Sequence, residues 1–186
     1  MRSLPIPLLL ISSALAQGVQ PVRQAPEVPY LPTTQVAVEA MLKLAGVTAS
    51  DVVYDLGCGD GRIVIAAAKL YGAHGVGIDI DPQRIREANE NAKKAGVEQL
   101  VRFEENDLFK ANIREASVIT LFLLSSVNAR LRPKLLTELR TGTRVVSNTF
   151  EMGDWKPEKE FTVDSGDDGY FSRKLYLWTI PPHSQK

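Results

Sequence analysis

The run Val53-Tyr54-Asp55-Leu56-Gly57-Cys58-Gly59-Asp60-Gly61-Arg62 holds the densest chemistry in the chain. Three glycines at alternate positions follow an apolar strand signal and open a helix signal. Such a turn lets the backbone approach a bound nucleotide, because glycine has no Cβ to hold a ligand away. A glycine turn alone is weak evidence. Asp79, 22 residues past Gly57 at the end of the next strand signal, strengthens it, since a carboxylate there accepts both ribose hydroxyls in Rossmann-type sites. The dinucleotide fingerprint requires glycine at its first, third and sixth positions, and Arg62 stands at the sixth. A nicotinamide dinucleotide is therefore disfavoured. Neither a strand interior nor a strand end favours an unpaired acid, so Asp55 and Asp79 are poorly explained as purely structural residues.

These residues need a scaffold that gathers strand ends, and the rest of the chain carries its pattern. Thr33 and Thr34 can cap a helix whose Val38, Met41, Leu42 and Ala45 recur at i, i+3, i+4 and i+7, with Gly46 as its stop. Val52 to Leu56 reads as a buried strand. The helix after the glycine turn places Ile63, Ala66, Ala67 and Leu70 on one face and stops at Gly72. Gly75 to Ile80 is a second strand; Asp81 as N-cap and Pro82 at the first helical position start a helix that closes at Gly96. Further strands are expected at Val101 to Glu104, Ser117 to Leu124 and Arg144 to Asn148, with a helix over Pro133 to Arg140 that turns Leu135, Leu136 and Leu139 inward. Lys159 to Asp164 and Tyr170 to Ile180 flank the turn Ser165-Gly166-Asp167-Asp168-Gly169 as an antiparallel hairpin. Strands separated by helices predict an α/β fold: a Rossmann-like, doubly wound, mostly parallel seven-stranded sheet with that C-terminal hairpin at one edge.

Composition narrows the partners. The 186 residues include 22 basic and 22 acidic side chains, 44% hydrophobic residues and a single cysteine, Cys58. Zero formal net charge removes the general pull toward nucleic acid or anionic lipid, so no nucleic-acid partner is expected. One cysteine and two distant histidines, His74 and His183, allow no disulfide framework and no metal-ligand cluster, so no metal is expected. Met1-Arg2-Ser3, the mostly apolar Leu4 to Leu15 and the small-x-small Ala14-Leu15-Ala16 before Gln17 read as a cleavable export signal over residues 1–16. The alternatives are a misassigned start or an uncleaved apolar tail. Prolines at 21, 26, 29 and 32 make residues 17–32 an extended tether, leaving residues 33–182 as the folded domain. The expectation is an exported chain, periplasmic or membrane-associated with a membrane tether through an uncleaved leader, and cytoplasmic if the start is misassigned.

Asp55 with its D-x-G-x-G-x-G spacing resembles the first motif of the class I S-adenosylmethionine-dependent methyltransferases. The resemblance implies S-adenosylmethionine as cofactor, with Asp55 and the Gly57, Cys58 and Gly59 backbone holding the methionine moiety, Asp79 the ribose, and Ile80 packing on adenine. Asn106 and Asp107 match the place where the family meets the adenine amino group; a loop or capping role is the plain alternative for Asp107. A narrower resemblance covers nearly the whole chain past the leader. Pro29-Tyr30-Leu31-Pro32-Thr33, VVYDLGCGDGRIVIAAAK, VITLFLLSSVNARLRPKL, GTRVVSNTFEMGDW and the last strand are similar to the small archaeal protein-lysine methyltransferases and the related mitochondrial lysine methyltransferases. It implies methyl transfer to lysine ε-amines of a protein substrate. Asn148 departs from the archaeal pattern, which has histidine there.

Attack on a sulfonium methyl requires a neutral amine, in-line aim and a pocket that strips water from the nucleophile. Lysine titrates near 10.4, so the pocket must lower it; desolvation and a nearby cation both do so. In open α/β sheets ligands sit beyond the carboxyl ends of the strands. That rule selects Leu124, Ser125, Ser126 and Asn128 after the fourth strand and Asn148, Thr149 and Glu151 after the fifth, while the resemblance has Tyr30 closing the mouth. Tyr30, Leu124, Asn128, Asn148 and Glu151 are thus the candidate catalytic residues. Phe150, Trp155 and Phe171 read as packing, and His74, before the second strand, as structural. No Asn-Pro-Pro-Tyr segment follows the fourth strand, which disfavours methylation of nucleic-acid bases. An open single domain suits a lysine on a large protein; the alternatives are a small-molecule methyltransferase or a non-catalytic exported domain that binds S-adenosylmethionine.

Overall fold

The computed structural model describes residues 30–164 and 173–183. The leader, most of the tether, the hairpin turn and Phe171 lie outside the described residues. Helix α1 (Gln35–Leu44) is capped by Thr34, whose Oγ1 accepts from Ala37 N. Next come β1 (Val52–Leu56), α2 (Arg62–Tyr71), β2 (His74–Asp79), α3 (Pro82–Ala95), β3 (Val101–Glu105), β4 (Val118–Leu121), α4 (Ser125–Glu138), β5 (Arg144–Asn148), β6 (Lys159–Val163) and β7 (Arg173–Thr179).

The seven strands form one sheet in the order β3-β2-β1-β4-β5-β7-β6. The pairs from β3 to β5 are parallel, and β7 is antiparallel to both β5 and β6. From β1 the chain builds outward through β2 and β3, then returns to the other side of β1 for β4 and β5. The pair β1 and β4 is therefore the topological switch point, where open α/β sheets hold ligands. The central strands are apolar on both faces because helices cover both. Val38, Met41 and Leu42 of α1 and Ile63, Val64 and Ala67 of α2 pack with Val53, Val118 and Val146 on one face. Leu131 and Leu135 of α4 pack with Tyr54, Ile119 and Trp178 on the other. At the amino ends of the strands Asp51 ties three elements together: it accepts from Ser117 Oγ at 2.6 Å and Thr48 N at 2.8 Å, and pairs with Arg144.

Three expectations change. The fourth strand is only Val118–Leu121, and Phe122 to Leu124 leave the sheet. The following helix begins at Ser125 rather than Pro133: the extended Leu124 is its N-cap, its carbonyl accepts from Val127 N and Asn128 N, and Pro133 lies inside the helix at the cost of one backbone bond. Leu70 is 51% exposed, because Ile63, Ala66 and Ala67 already fill the contact of α2 with the sheet.

Candidate active site

Strands β1 to β4 end around a single cleft of about 140 Å³. Its floor is acidic: Asp55, Asp60, Asp79, Asp81 and Asp107 line it, with Arg62 and Arg84 as the lining cations. Asp55, on β1, is 3% exposed, and its only described hydrogen bond is from Thr120 Oγ1 of β4 at 2.8 Å. Burial, then the neighbouring Asp79 and Asp60 carboxylates, push its carboxyl up to about 7 despite the Thr120 bond. A buried carboxylate with only a hydroxyl donor lacks a counter-ion. The cleft therefore fits a ligand that brings positive charge.

The glycine turn is braced from below. Gly57 N and Cys58 N both donate to Ile78 O, at 2.8 and 3.0 Å, and Gly59 N donates to Asp79 Oδ2 at 2.8 Å. Asp79 Oδ1 accepts from Asp81 N at 3.0 Å. With these N–H groups engaged, Gly57, Cys58 and Gly59 offer a ligand their carbonyls rather than their N–H groups. At the start of α2, Asp60 Oδ1 accepts from Arg62 N, which places a carboxylate where a phosphate would sit in a dinucleotide site. An ammonium suits these carbonyls and carboxylates better than a pyrophosphate does. Cys58 is buried among the same carboxylates, and burial pushes its thiol well above the ordinary range.

Arg62, conspicuous in the sequence only as a missing glycine, organises one wall. Its Nε and Nη2 donate to the two oxygens of Asp60 at 2.9 and 2.7 Å, and Nη1 donates to Thr33 O at 2.7 Å. The pair holds the Asp60 carboxyl below its usual range although burial opposes it. Residues 30–33 are thereby strapped across the turn. Gly59, at φ +52°, has Tyr30 where its side chain would be, and Arg84 lies 4.5 Å from the Tyr30 ring centroid. Gly61, at φ +79°, leaves room for Phe103 of β3.

Ile80, Asn106 and Asp107 also line the cleft. Asn106 N donates to Asp79 O at 2.9 Å. Asp107 does cap its own turn, with Oδ1 accepting from Phe109 N at 2.9 Å. Among the candidate catalytic residues, Tyr30 lines the cleft, whereas Leu124, Asn128, Asn148 and Glu151 are not among its lining residues. Leu124 caps α4 and is 38% exposed. Asn128 is fully buried; its Nδ2 donates to Phe150 O at 3.1 Å, and its Oδ1 has no hydrogen-bond partner among the described residues. Asn148, also fully buried, accepts from Thr149 Oγ1 at 2.9 Å, while its Nδ2 has no hydrogen-bond partner among the described residues. Glu151 is exposed and hydrogen-bonded to the Tyr176 phenol. Between them Thr149 holds φ +70°, the only positive value at a non-glycine among the described residues. Phe150 stacks on Phe122 at 6.1 Å and Trp155 packs on Trp178 at 5.9 Å. Sequence reasoning missed Phe122 and Leu123 as cleft residues, because their apolar run reads as a buried strand, and it gave no role to Phe109 or Val127, which also line the cleft. Thr120 carried a usable signal: it is the polar residue in the middle of that run.

Comparison with known proteins gives consistent matches. Residues 55–159 match the model of the ANTKMT methyltransferase domain. A protein-lysine N-methyltransferase of Saccharolobus islandicus is 46% identical over 159 residues, covering 85% of this chain and 97% of the relative. The adenine nucleotide translocase lysine N-methyltransferase of Mus musculus is 36% identical over 131 residues, 70% of this chain and 57% of the relative. A crystal structure described as an RNA methyltransferase from Salinibacter ruber, in complex with S-adenosyl-L-homocysteine, superposes with a TM-score of 0.76 at 52% identity, covering 84% of this chain and 97% of that one.

These matches correct the expectation of an exported, periplasmic or membrane-held enzyme. The relative from Saccharolobus, aligned over nearly its full length, is a protein-lysine N-methyltransferase, and nothing in the match supports export. No helix among the described residues is long and apolar enough to cross a membrane. The apolar run that prompted the export reading lies outside the described residues.

Proposed function

Because the chain belongs to the ANTKMT methyltransferase family, within the S-adenosylmethionine-dependent methyltransferases, we propose that it methylates the ε-amine of protein lysines. The observation that carries the cofactor's place is the buried Asp55 carboxyl, which faces the cleft with only the Thr120 hydroxyl as partner beside a turn whose Gly57, Cys58 and Gly59 N–H groups are already engaged. Alignment with the Saccharolobus enzyme over most of both chains supports lysine as the acceptor.

Bound S-adenosylmethionine supplies an electrophilic methyl on a sulfonium. In this reading Asp79 takes the ribose hydroxyls with the lone pairs that Gly59 N and Asp81 N leave free. Ile80 covers one side of adenine, and Asn106 and Asp107 meet its amino edge. Asp55 and the Gly57 to Gly59 carbonyls, with Cys58 beneath them, neutralise the methionine ammonium. Tyr30 and its strap close the side toward α2, and Phe122, Leu123 and Val127 strip water from the entering amine. The amine lone pair forms the new N–C bond as the C–S bond breaks, a thioether leaves, and the extra proton passes to water. Asn128, Asn148 and Glu151, with Leu124 capping α4, hold the acceptor-side loop in place.

The Salinibacter structure favours RNA as a second reading. Transfer of labelled methyl into a cell lysate separates the two. Label lost to proteinase and recovered as methyl-lysine is expected; label lost to ribonuclease would overturn the assignment.

A further inference from the structure

The strap before α1 is a wall of the cleft attached unlike the others. Tyr30, Leu31, Pro32 and Thr33 all line the cleft. Among the described residues they make no backbone–backbone hydrogen bond, and only Thr33 of the four is buried, with Tyr30 46% and Leu31 60% exposed. Side chains of two helices hold them instead. Arg62 of α2 donates from Nη1 to Thr33 O at 2.7 Å, and Arg84 of α3 lies 4.5 Å from the Tyr30 centroid. Arg62 is itself fixed, since its Nε and Nη2 both donate to Asp60. Past the strap the chain is anchored, because Val38, Met41 and Leu42 of α1 are fully buried. Thr34, the extended N-cap of α1, therefore stands as a hinge between a fixed helix and a lightly tied segment.

The apolar wall of the cleft is built differently. Leu123 and Val127 belong to the hydrophobic core, and Phe122 stacks on Phe150 at 6.1 Å. Swinging that wall aside would bring core side chains into water, whereas swinging the strap about Thr34 breaks few contacts and exposes little that is not already wet. A ligand seated among Asp55, Asp79 and Asn106 thus has its lowest-energy passage beneath the strap. Resting on the cofactor's placement above, and independent of which acceptor is methylated, we propose that residues 30–33 are the gate through which S-adenosylmethionine enters and S-adenosylhomocysteine leaves, with Arg62 as its latch. Cofactor exchange then requires no movement of the apolar wall.

The test measures association and dissociation rate constants of S-adenosylhomocysteine on the immobilised full chain by surface plasmon resonance. Losing the charged hydrogen bond to the strap in Arg62→Gln should speed dissociation about tenfold. Association should also quicken, about threefold, because a latch slows passage in both directions. Arg62→Lys, which keeps the charge but not the fork, should lie between. Arg132→Gln, which breaks the ion pair of α4 with Asp154 beyond β5, should leave both rates within about twofold of the parent. A second readout keeps Arg62 in place: a nitroxide on Leu31→Cys reports the strap directly, while the buried Cys58 stays unlabelled. Its spectrum should show a mobile component that shrinks when S-adenosylhomocysteine is added. Faster dissociation with unchanged association would make Arg62 a binding contact rather than a latch, and rates that respond to Arg132→Gln instead would put the passage on the other side of the cleft. Either result, or an immobile nitroxide indifferent to ligand, would overturn the proposal. If the parent chain binds no S-adenosylhomocysteine, the cofactor's placement itself fails, and this inference with it.

Discussion

Tyr30 rests on Gly59: a Cβ at residue 59 would stand 2.4 Å from Tyr30 Cε2. The strap from the N-terminal side and the glycine turn therefore form one surface. Gly59→Ala adds strain at φ +52°, about 1 kcal/mol, and also lifts Tyr30 away. Cofactor affinity should fall about tenfold. Tyr30→Ala should cost less in the Gly59→Ala background than in the parent, since both disturb one contact. Calorimetric titration with S-adenosylhomocysteine across the four proteins measures this, and additive losses would mean that the two residues act independently.

Asp79 has two tasks, bracing the turn and meeting the ribose. Asp79→Ala should weaken cofactor binding by about 1.5–3 kcal/mol for each charged hydrogen bond lost. Asp79→Asn, which keeps one acceptor oxygen for Gly59 N, should lie between parent and alanine. An unchanged dissociation constant for Asp79→Ala would place the ribose elsewhere.

Asp55 makes cofactor binding depend on pH. Its folded-state carboxyl titrates at about 7, raised by burial, and binding a cationic ligand favours the ionised form. Affinity should therefore rise between pH 6 and pH 8 in the parent and stay flat in Asp55→Asn. Stability moves the other way. A carboxyl raised above its unfolded value of about 3.9 adds stability that is fully present below that value and is lost as pH rises through about 7. Asp55→Asn should thus raise the stability of the ligand-free protein at pH 8 by about 2–4 kcal/mol and change little near pH 4. Denaturant unfolding at the two pH values checks the sign.

Thr149 is β-branched and sits at φ +70°, a conformation that costs a non-glycine residue about 1–2 kcal/mol. Thr149→Gly should raise the melting temperature. If the strain orders the Asn148 to Glu151 loop for the acceptor, the same variant should lower kcat severalfold with the cofactor dissociation constant unchanged. Higher stability with full kcat would make the strain incidental.

Much of the chain was legible because its local signals agree with its fold. The caps Thr34 and Asp81, the stops at Gly72 and Gly96, and the apolar β1 and β5 lie where spacing places them. Reading failed at Phe122 to Pro133. An unbroken apolar run looks like one strand, and a proline looks like a helix start, yet the run leaves the sheet after Leu121 and the helix passes through Pro133. Local propensity cannot register the reason: the cleft needs a wall, and apolar side chains from the strand end supply it.

By itself the sequence determined the sheet, the glycine turn and the positions of Asp55 and Asp79, because a buried parallel strand, a positive-φ turn and an acid at a strand end each leave a mark in residue type and spacing. Only the tertiary structure decided what those residues face. Thr120 is Asp55's partner across 65 residues, Arg62 clamps Thr33 across 29, and Arg173 reaches Phe122 from the far end of the chain. Charge balance at the cleft and the closure of its wall are sums over residues remote in sequence. Coulomb interactions and burial depend on distance in space, which folding sets and spacing along the chain does not.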